Sequence, residues 1–212
     1  MLVDTLMCLH LYILLFRGLR IKVEKRGIRA LGIAESFHTG ASERSCLAGV
    51  VMRADLVVDG FVFGSATLGG DDATDAVVGM FYRLGRNDIN VIMLRGVIIS
   101  LFNIIDIDRV HLETGVPVVG LTFEESEGLE HHIKHHFPQS WQQKLQQYHK
   151  IGGRKKVEIK TGATLYIRTA GVDERQAVRI LDKFTLQGAI PEPVRLAQLL
   201  AHAKYQWDAG IC

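Results

Sequence analysis

Residues 69–75 read GGDDATD, and they mark the point where an extended region gives way to a helical pattern. Two glycines let the backbone turn sharply, and aspartate or threonine can cap the exposed amides at a helix start. The stretch alone therefore favours a capped strand-to-helix turn. A metal site is the second interpretation, because the adjacent carboxylates of Asp71 and Asp72 repel each other unless a cation or water separates them.

On the C-terminal side of this turn, apolar residues recur with the period of an amphipathic helix as far as Leu84. Two short apolar runs follow at 89–94 and 117–123, and a second helix ending near Thr114 separates them. This strand–helix–strand order predicts right-handed parallel crossovers.

On the N-terminal side, three apolar runs at 28–36, 46–53 and 56–67 are joined by short links and predict an antiparallel meander. Asp59-Gly60 inside the third run predicts a bulge or bend. Together the elements predict an α/β fold with a mixed five-stranded sheet flanked by helices. The ribonuclease H-like architecture has this element order.

The C-terminal part predicts helices at 126–136 and 139–150, a hairpin at 157–160 and 164–169, and two closing helices at 173–184 and 193–204. Four histidines in the first of these helices (131, 132, 135 and 136) include pairs at zinc-ligand spacing, but no cysteine or suitably spaced acid joins them, which favours a solvated polar face. The hairpin region is the most basic part of the chain. Its candidate phosphate contacts are Lys155, Lys156, Lys160 and Arg168, and a solvated surface is the alternative.

The composition describes an ordinary globular chain, with 48% hydrophobic residues and a formal net charge of +2. This charge gives no overall electrostatic case for nucleic-acid binding, so any such case depends on local clusters. Three cysteines at wide spacing, without a CxxC motif, indicate neither a zinc site nor a disulfide framework. We therefore expect a reducing, cytoplasmic setting.

Residues 1–26 form a predicted N-terminal extension, apolar and then basic, ahead of a single domain at 27–205. The apolar run at 1–16 is shorter than a membrane span and contains Asp4 and His10. Its positive charges follow the run rather than precede it, unlike those of a signal peptide. A core-packed element or an over-extended start site is favoured, and membrane association is the alternative.

Acidic residues from separate elements are placed to meet at one edge of the predicted sheet. Glu35 ends the first strand, Asp71 and Asp72 open the first helix, and Asp106 follows the fourth strand. The first and fourth strands are neighbours in a ribonuclease H-like sheet, so these carboxylates are expected to converge. Two metal ions held by carboxylates can activate a water and stabilise the leaving oxygen in phosphodiester cleavage.

Several stretches resemble an archaeal family called endonuclease dU, which is considered a relative of endonuclease V. They are GIRALGIAESF (27–37), LAGVVMR (47–53), DLVVDG (55–60), GGDDATDA (69–76), FNIID (102–106), TGVPVV (114–119), EESEGL (124–129) and KFTLQGAIPEPVR (183–195). The resemblance runs from Gly27 to Ala203. It implies a ribonuclease H-like fold and cleavage of DNA near a deaminated base such as uracil, with Mg²⁺ or Mn²⁺ as cofactor.

Carried over by position, the resemblance implies that Glu35 is the first-strand carboxylate and that Asp71 or Asp72, with Asp72 preferred, is the second. The third acid normally ends the fourth strand in an Asp-Gly pair, where this chain has Arg95-Gly96. Arginine cannot bind a cation. Either Asp106 or Asp59 then supplies the missing ligand, or the metal site is weakened or absent.

The expected catalytic residues are therefore Glu35, Asp71 and Asp72, and the expected metal ligands are Glu35, Asp72 and Asp106. Thr74 and Asp75 are then left to cap the helix. DNA is the expected partner, and the sequence indicates neither a stable protein partner nor a membrane-bound form. A non-catalytic nucleic-acid-binding protein and a small-molecule enzyme or assembly factor are the alternatives.

Overall fold

The computed structural model describes residues 27–40, 42–125 and 128–210. The strands in this part of the chain are β1 (Arg29–Ser36), β2 (Arg44–Arg53), β3 (Val58–Thr67), β4 (Val91–Arg95), β5 (Ile98–Ile99), β6 (Asn103–Ile104), β7 (Val118–Thr122), β8 (Lys155–Glu158) and β9 (Thr164–Ala170). The helices are α1 (Ala73–Arg83), α2 (Ile107–Thr114), α3 (Glu130–His136), α4 (Trp141–Lys150), α5 (Glu174–Phe184) and α6 (Glu192–Asp208).

The main sheet has seven strands in the order β3-β2-β1-β4-β7-β9-β8. Strands β1, β4 and β7 are parallel, and β2 and β3 form the antiparallel meander. The order β3-β2-β1-β4-β7 is the ribonuclease H-like arrangement, so the predicted fold class is confirmed. The predicted C-terminal hairpin does not stand apart, because β9 pairs with β7 and extends the five-stranded sheet.

The sheet is buried on both faces. Side chains of β1 alternate between them, with Leu31 and Ile33 packed among α1 and α2, and Ala30 packed beneath α5 and α6. Gly32 lies against the start of α6, where a Cβ would be 2.3 Å from the Pro193 carbonyl carbon. The absence of a side chain at Gly32 thus brings α6 directly onto β1.

The predicted irregularity at Asp59-Gly60 is a bulge. Val51 pairs with Gly60 and Met52 pairs with Val58, which leaves Asp59 as the extra residue. The Asp59 carboxylate accepts hydrogen bonds from Arg29 Nε at 2.5 Å and Arg86 Nη2 at 3.0 Å. Because Arg29 begins β1 and Glu35 lies near its end, about 20 Å of extended strand separates the two positions. Asp59 is therefore excluded as the missing ligand beside Glu35.

A small hairpin, formed by β5 and β6, lies between the end of β4 and the start of α2. The three residues at its tip, Ser100, Leu101 and Phe102, have φ angles of 47°, 56° and 67°. Side-chain-bearing residues rarely adopt this left-handed conformation, which costs of order 1–3 kcal/mol at each such position. Surrounding contacts must therefore hold the tip in place.

No helix in the described ranges is long and apolar enough to cross a membrane. The predicted N-terminal extension, 1–26, lies outside the described residues, so its separation from the domain stays a prediction.

Candidate active site

Glu35 lies at the carboxyl end of β1 and is half-buried. Ser100 donates to its carboxylate from the backbone amide, at 3.0 and 2.9 Å from the two oxygens, and from the hydroxyl at 2.7 Å. The Ser100 hydroxyl also lies 2.6 Å from the hydroxyl of buried Ser45. Burial raises the pKa of Glu35, and the hydrogen bonds from Ser100 only partly oppose this shift.

Asp72 lies at the start of α1 with its carboxylate turned back towards β3. Thr67 donates to it from the amide at 2.9 Å and from the hydroxyl at 2.8 Å, and Asn103 Nδ2 donates at 2.7 Å. Arg44 Nη1 is 3.5 Å from Oδ2. Burial acts to raise the pKa of Asp72, but these hydrogen bonds and the Arg44 charge outweigh it, so the pKa is lowered.

The cap of α1 differs from the predicted one. Asp72 occupies the N-cap position without a side-chain capping bond, and the Ala73 amide donates to Asn103 Oδ1 at 3.0 Å. Thr74 accepts from the Asp106 amide, and Asp75 pairs with Arg109. The prediction that Thr74 and Asp75 cap the helix was wrong, because the β5–β6 hairpin supplies the cap through Asn103.

One hairpin therefore supports both carboxylates. Ser100, at its tip, binds Glu35, and Asn103, at the start of β6, binds Asp72. The Ser100 carbonyl also accepts the Gly69 amide at 2.7 Å, which ties the hairpin to the turn ahead of Asp72. The two acids are thus positioned by the same short segment.

Asp71 points to a different partner, Lys144 of α4. Lys144 Nζ lies 2.7 Å from Asp71 Oδ1, and it also donates to the carbonyls of Gly70 at 2.5 Å and Phe102 at 3.3 Å. The Lys144 side chain is only 4% exposed, whereas that of Asp71 is 51% exposed. Lys144 was missed from the sequence, where it is one polar residue in a polar helix, and it fixes both the Gly-Gly turn and the hairpin tip.

Asp106 is the N-cap of α2. One oxygen accepts the Arg109 amide at 3.1 Å, and the other lies 2.6 Å from Lys150 Nζ. Burial acts to raise its pKa, but Lys150 and the helix amides outweigh burial and lower it. The contacts of Asp106 thus lie with α2 and α4, and its assignment as a metal ligand stays a prediction.

The donor set at Glu35 and Asp72 suits a hard cation. Carboxylate oxygens are the ligands that Mg²⁺ prefers, and Glu35 Oε1 and Asp72 Oδ2 each accept one hydrogen bond, which leaves lone pairs for an ion. Across the described ranges, no three acids, histidines or cysteines are grouped to share a metal. The chemistry of these two carboxylates therefore fits a hard cation, with no third acid, histidine or cysteine grouped beside them in the described part of the chain.

The predicted phosphate-contact residues separate into two places. Lys155, Lys156 and Lys160 are exposed on or just after the edge strand β8, with Lys155 3.7 Å from Glu174. Arg168, on β9, instead lines a cavity together with Arg95 and Arg154. Arg95, which the sequence showed only as a departure from the expected acid, lies at the carboxyl end of β4.

The sequence profile of one family, endonuclease dU, matches residues 26–204. The UPF0215 protein of Pyrobaculum calidifontis is 38% identical over 81% of this chain and 93% of its own length. The UPF0215 protein of Thermococcus kodakarensis is 33% identical over 86% of this chain and 95% of its own length.

Solved structures share the fold. A protein of unknown function from Archaeoglobus fulgidus superposes with a TM-score of 0.71 at 29% identity, covering 84% of this chain and 98% of that one. Human endonuclease V gives a TM-score of 0.60 at 17% identity, covering 90% of this chain and 89% of that one. Endonuclease V of Ciona intestinalis, in complex with DNA that contains inosine, gives 0.57 at 12% identity, covering 86% and 88%. By its sequence, the chain belongs to the endonuclease dU family.

Proposed function

We propose that this protein is a metal-dependent endonuclease that cleaves DNA near a deaminated base such as uracil. The observation that carries the proposal is the support of Glu35 and Asp72 by one hairpin at the carboxyl edge of a ribonuclease H-like sheet. Family membership and the fold shared with a DNA-bound endonuclease V support the same reaction class.

In this proposal the two acids have different roles at neutral pH. Asp72, whose pKa is lowered, stays ionised and is the stronger cation ligand. Glu35, whose pKa is raised, is the residue whose ionisation sets the lower pH limit of activity. A bound Mg²⁺ or Mn²⁺ would supply Lewis-acid activation of water and stabilise the leaving oxygen. Asp106 is the candidate for a third ligand, and Asp71, held by Lys144, positions the turn ahead of Asp72.

The exposed lysines of the β8 edge are the proposed contacts to the DNA backbone. Lys156 and Lys160 are exposed, and Lys155 Nζ lies 3.7 Å from a carboxylate oxygen of Glu174. Such contacts bind phosphates without regard to sequence, so replacing them weakens binding to all DNA alike and reduces its salt dependence.

The test is a nicking assay with the full chain on a uracil-containing duplex and an otherwise identical undamaged duplex. We expect nicking of the damaged strand in Mg²⁺ or Mn²⁺ and none in EDTA. A folded protein that leaves uracil-containing and other deaminated duplexes uncut in both metals would overturn the proposal.

Arg95 favours a second candidate, a DNA-binding protein without nuclease activity. An arginine stands where the family pattern has its third acid, and its positive charge opposes a cation nearby. This candidate predicts salt-sensitive DNA binding in EDTA that Glu35→Gln and Asp72→Asn leave unchanged, with no nicking under any condition.

A further inference from the structure

The carboxyl ends of β4 and β7 open into a cavity of about 360 Å³ beside the candidate active site. We call it the arginine pocket, after Arg95, Arg154 and Arg168, which line it. The β5–β6 hairpin contacts both places, because Ile98 lines the pocket and Ser100, two residues on, binds Glu35.

Arg95 has a buried side-chain donor that is left unsatisfied. Its guanidinium lies over the Phe123 ring, 5.0 Å from the ring centroid. Its Nη1 is fully buried and has no hydrogen-bond partner, and it is the only buried side-chain nitrogen or oxygen in that state within the described ranges. A buried donor left unpaired destabilises the folded protein, because it gives up its hydrogen bonds to water without a replacement, and the effect is larger when the donor is charged. A ligand that accepts this hydrogen bond would remove that cost.

The other two arginines concentrate positive charge at the same place. Arg168 Nε donates to the Gly152 carbonyl at 3.0 Å, and Arg154 Nη1 donates to the Glu124 carbonyl at 3.2 Å while its guanidinium lies over the Tyr166 ring. Burial lowers the pKa of Arg168, and the nearby charge of Arg154 lowers it further. Backbone carbonyls thus orient both guanidiniums towards the cavity wall.

Two carboxylates also line the cavity and reduce this charge. Glu124 and Glu125 are both exposed, and the Glu124 charge partly opposes the lowering of the Arg95 pKa by burial. In the described part of the chain, neither Arg95 nor Arg168 forms an ion pair with a carboxylate. The pocket therefore keeps guanidinium groups that an anion can bind.

We propose that the arginine pocket binds a phosphoryl group carried by a nucleotide, either free or within a nucleic-acid strand. Guanidinium groups bind phosphate through paired, charge-assisted hydrogen bonds, which an unpaired Nη1 is able to donate. A cavity of about 360 Å³ is at the lower end of ligand-pocket sizes and matches one nucleotide. Tyr148 also lines it and offers a ring on which a base can stack. This site is inferred from its geometry, and phosphate binding there does not require that the protein cleaves DNA.

The test measures thermal unfolding of the full chain in rising inorganic phosphate, with chloride at matched ionic strength as the reference. We expect the unfolding temperature of the wild type to rise by about 5 °C when phosphate is in hundredfold excess over its dissociation constant. Arg95→Gln removes the unpaired donor and should abolish the rise. Arg179→Gln, which removes an exposed arginine from α5, should keep it.

Arg95→Gln is expected to fold, since Nη1 has no hydrogen-bond partner to lose. Arg168→Gln is the second variant and should reduce the rise, which keeps the test valid if Arg95→Gln does not fold. Equal rises in the wild type and both pocket variants, or no rise in the wild type, would overturn the proposal.

The same variants identify the source of the phosphoryl group. If Arg95→Gln weakens binding of a short oligothymidylate at least tenfold and Arg179→Gln does not, the ligand is a nucleic-acid strand. If thymidine monophosphate alone shows this difference, the ligand is a free nucleotide, and no difference with either probe contradicts the proposal. Asp72→Asn should keep the phosphate response, so loss of nicking with the response retained bears on the nuclease proposal alone.

Discussion

The candidate active site and the arginine pocket both contact the β5–β6 hairpin, yet their polar groups are satisfied to different degrees. Each carboxylate oxygen of Glu35 and Asp72 accepts a hydrogen bond from the protein. In the pocket, a buried guanidinium nitrogen has no partner at all.

This difference distinguishes two ways of preparing a site. The acids are fixed in advance by hydrogen bonds from neutral donors, and only Asp72 also has a cation, Arg44, within 3.5 Å among the described residues. The arginine is held by stacking on Phe123 and leaves its donor for a ligand. We infer that Glu35 and Asp72 are held in position before a cation binds, whereas Arg95 keeps a hydrogen-bond donor for a ligand.

The largest expected effect comes from replacing Asp72 in the candidate active site. Asp72→Asn should lower the nicking rate by at least about 100-fold, because outer partners of a metal site alone are worth 10–100-fold. The measurement is the single-turnover rate on a uracil-containing duplex. Asp75→Asn is the matched control, since Asp75 lies on the same helix with its side chain 62% exposed. Equal rates for the two variants would remove Asp72 from the site.

Lys144→Met tests whether the Gly-Gly turn depends on the buried lysine. The change leaves Asp71 and the carbonyls of Gly70 and Phe102 without their shared donor. We expect the free energy of unfolding in urea to fall by about 2 kcal/mol. Lys156→Met, at an exposed position of β8, should change it little. A Lys144 variant as stable as the wild type would show that the turn is held by other contacts.

Ser100→Ala tests the tip of the β5–β6 hairpin, which binds Glu35. The variant loses the hydroxyl hydrogen bonds to Glu35 and Ser45 while it keeps the amide contact. Stability should fall by about 1.5 kcal/mol in the same urea measurement. Ser140→Ala is the control, because Ser140 begins α4 without a side-chain capping bond. If the two variants lose the same amount, the Ser100 hydroxyl has no special role.

Glu35→Gln tests, through the pH dependence of stability, whether the pKa of Glu35 is raised. The folded-state pKa of Glu35 is raised above 4.5, so its contribution to stability is fully present below 4.5 and is lost as pH rises through the raised value. Glutamine does not titrate, so the variant should gain stability relative to the wild type across this window and keep a constant difference above it. Urea unfolding between about pH 4 and pH 8 measures the difference. A flat or inverted difference contradicts the raised pKa.

The fold could be predicted from the sequence because its signals are local. Apolar runs predicted the strands of the five-stranded sheet, and Asp59-Gly60 predicted the bulge. Apolar residues at helical spacing predicted α1 and α2. The pairing of β9 with β7 could not be predicted, since it joins segments about 50 residues apart without a periodic signal.

The site was predictable only in part. The convergence of Glu35 and Asp72 on one edge follows from strand order, but the hairpin that holds them does not. The tip has a left-handed backbone, but none of its residues is a glycine, so the sequence does not indicate a turn of this kind there. These residues are Ser100, Leu101 and Phe102. Arg95 could be recognised as a departure from the family pattern, whereas its unpaired nitrogen depends on packing by distant residues.

The central claim is that Glu35 and Asp72 share a divalent cation, and a crystal soaked in Mn²⁺ tests it most directly. Anomalous scattering locates the ion without reference to activity. We predict one Mn²⁺ with an oxygen of Glu35 and an oxygen of Asp72 each at about 2.1 Å. An ion bound elsewhere on the protein, with none between these two carboxylates, would contradict the account.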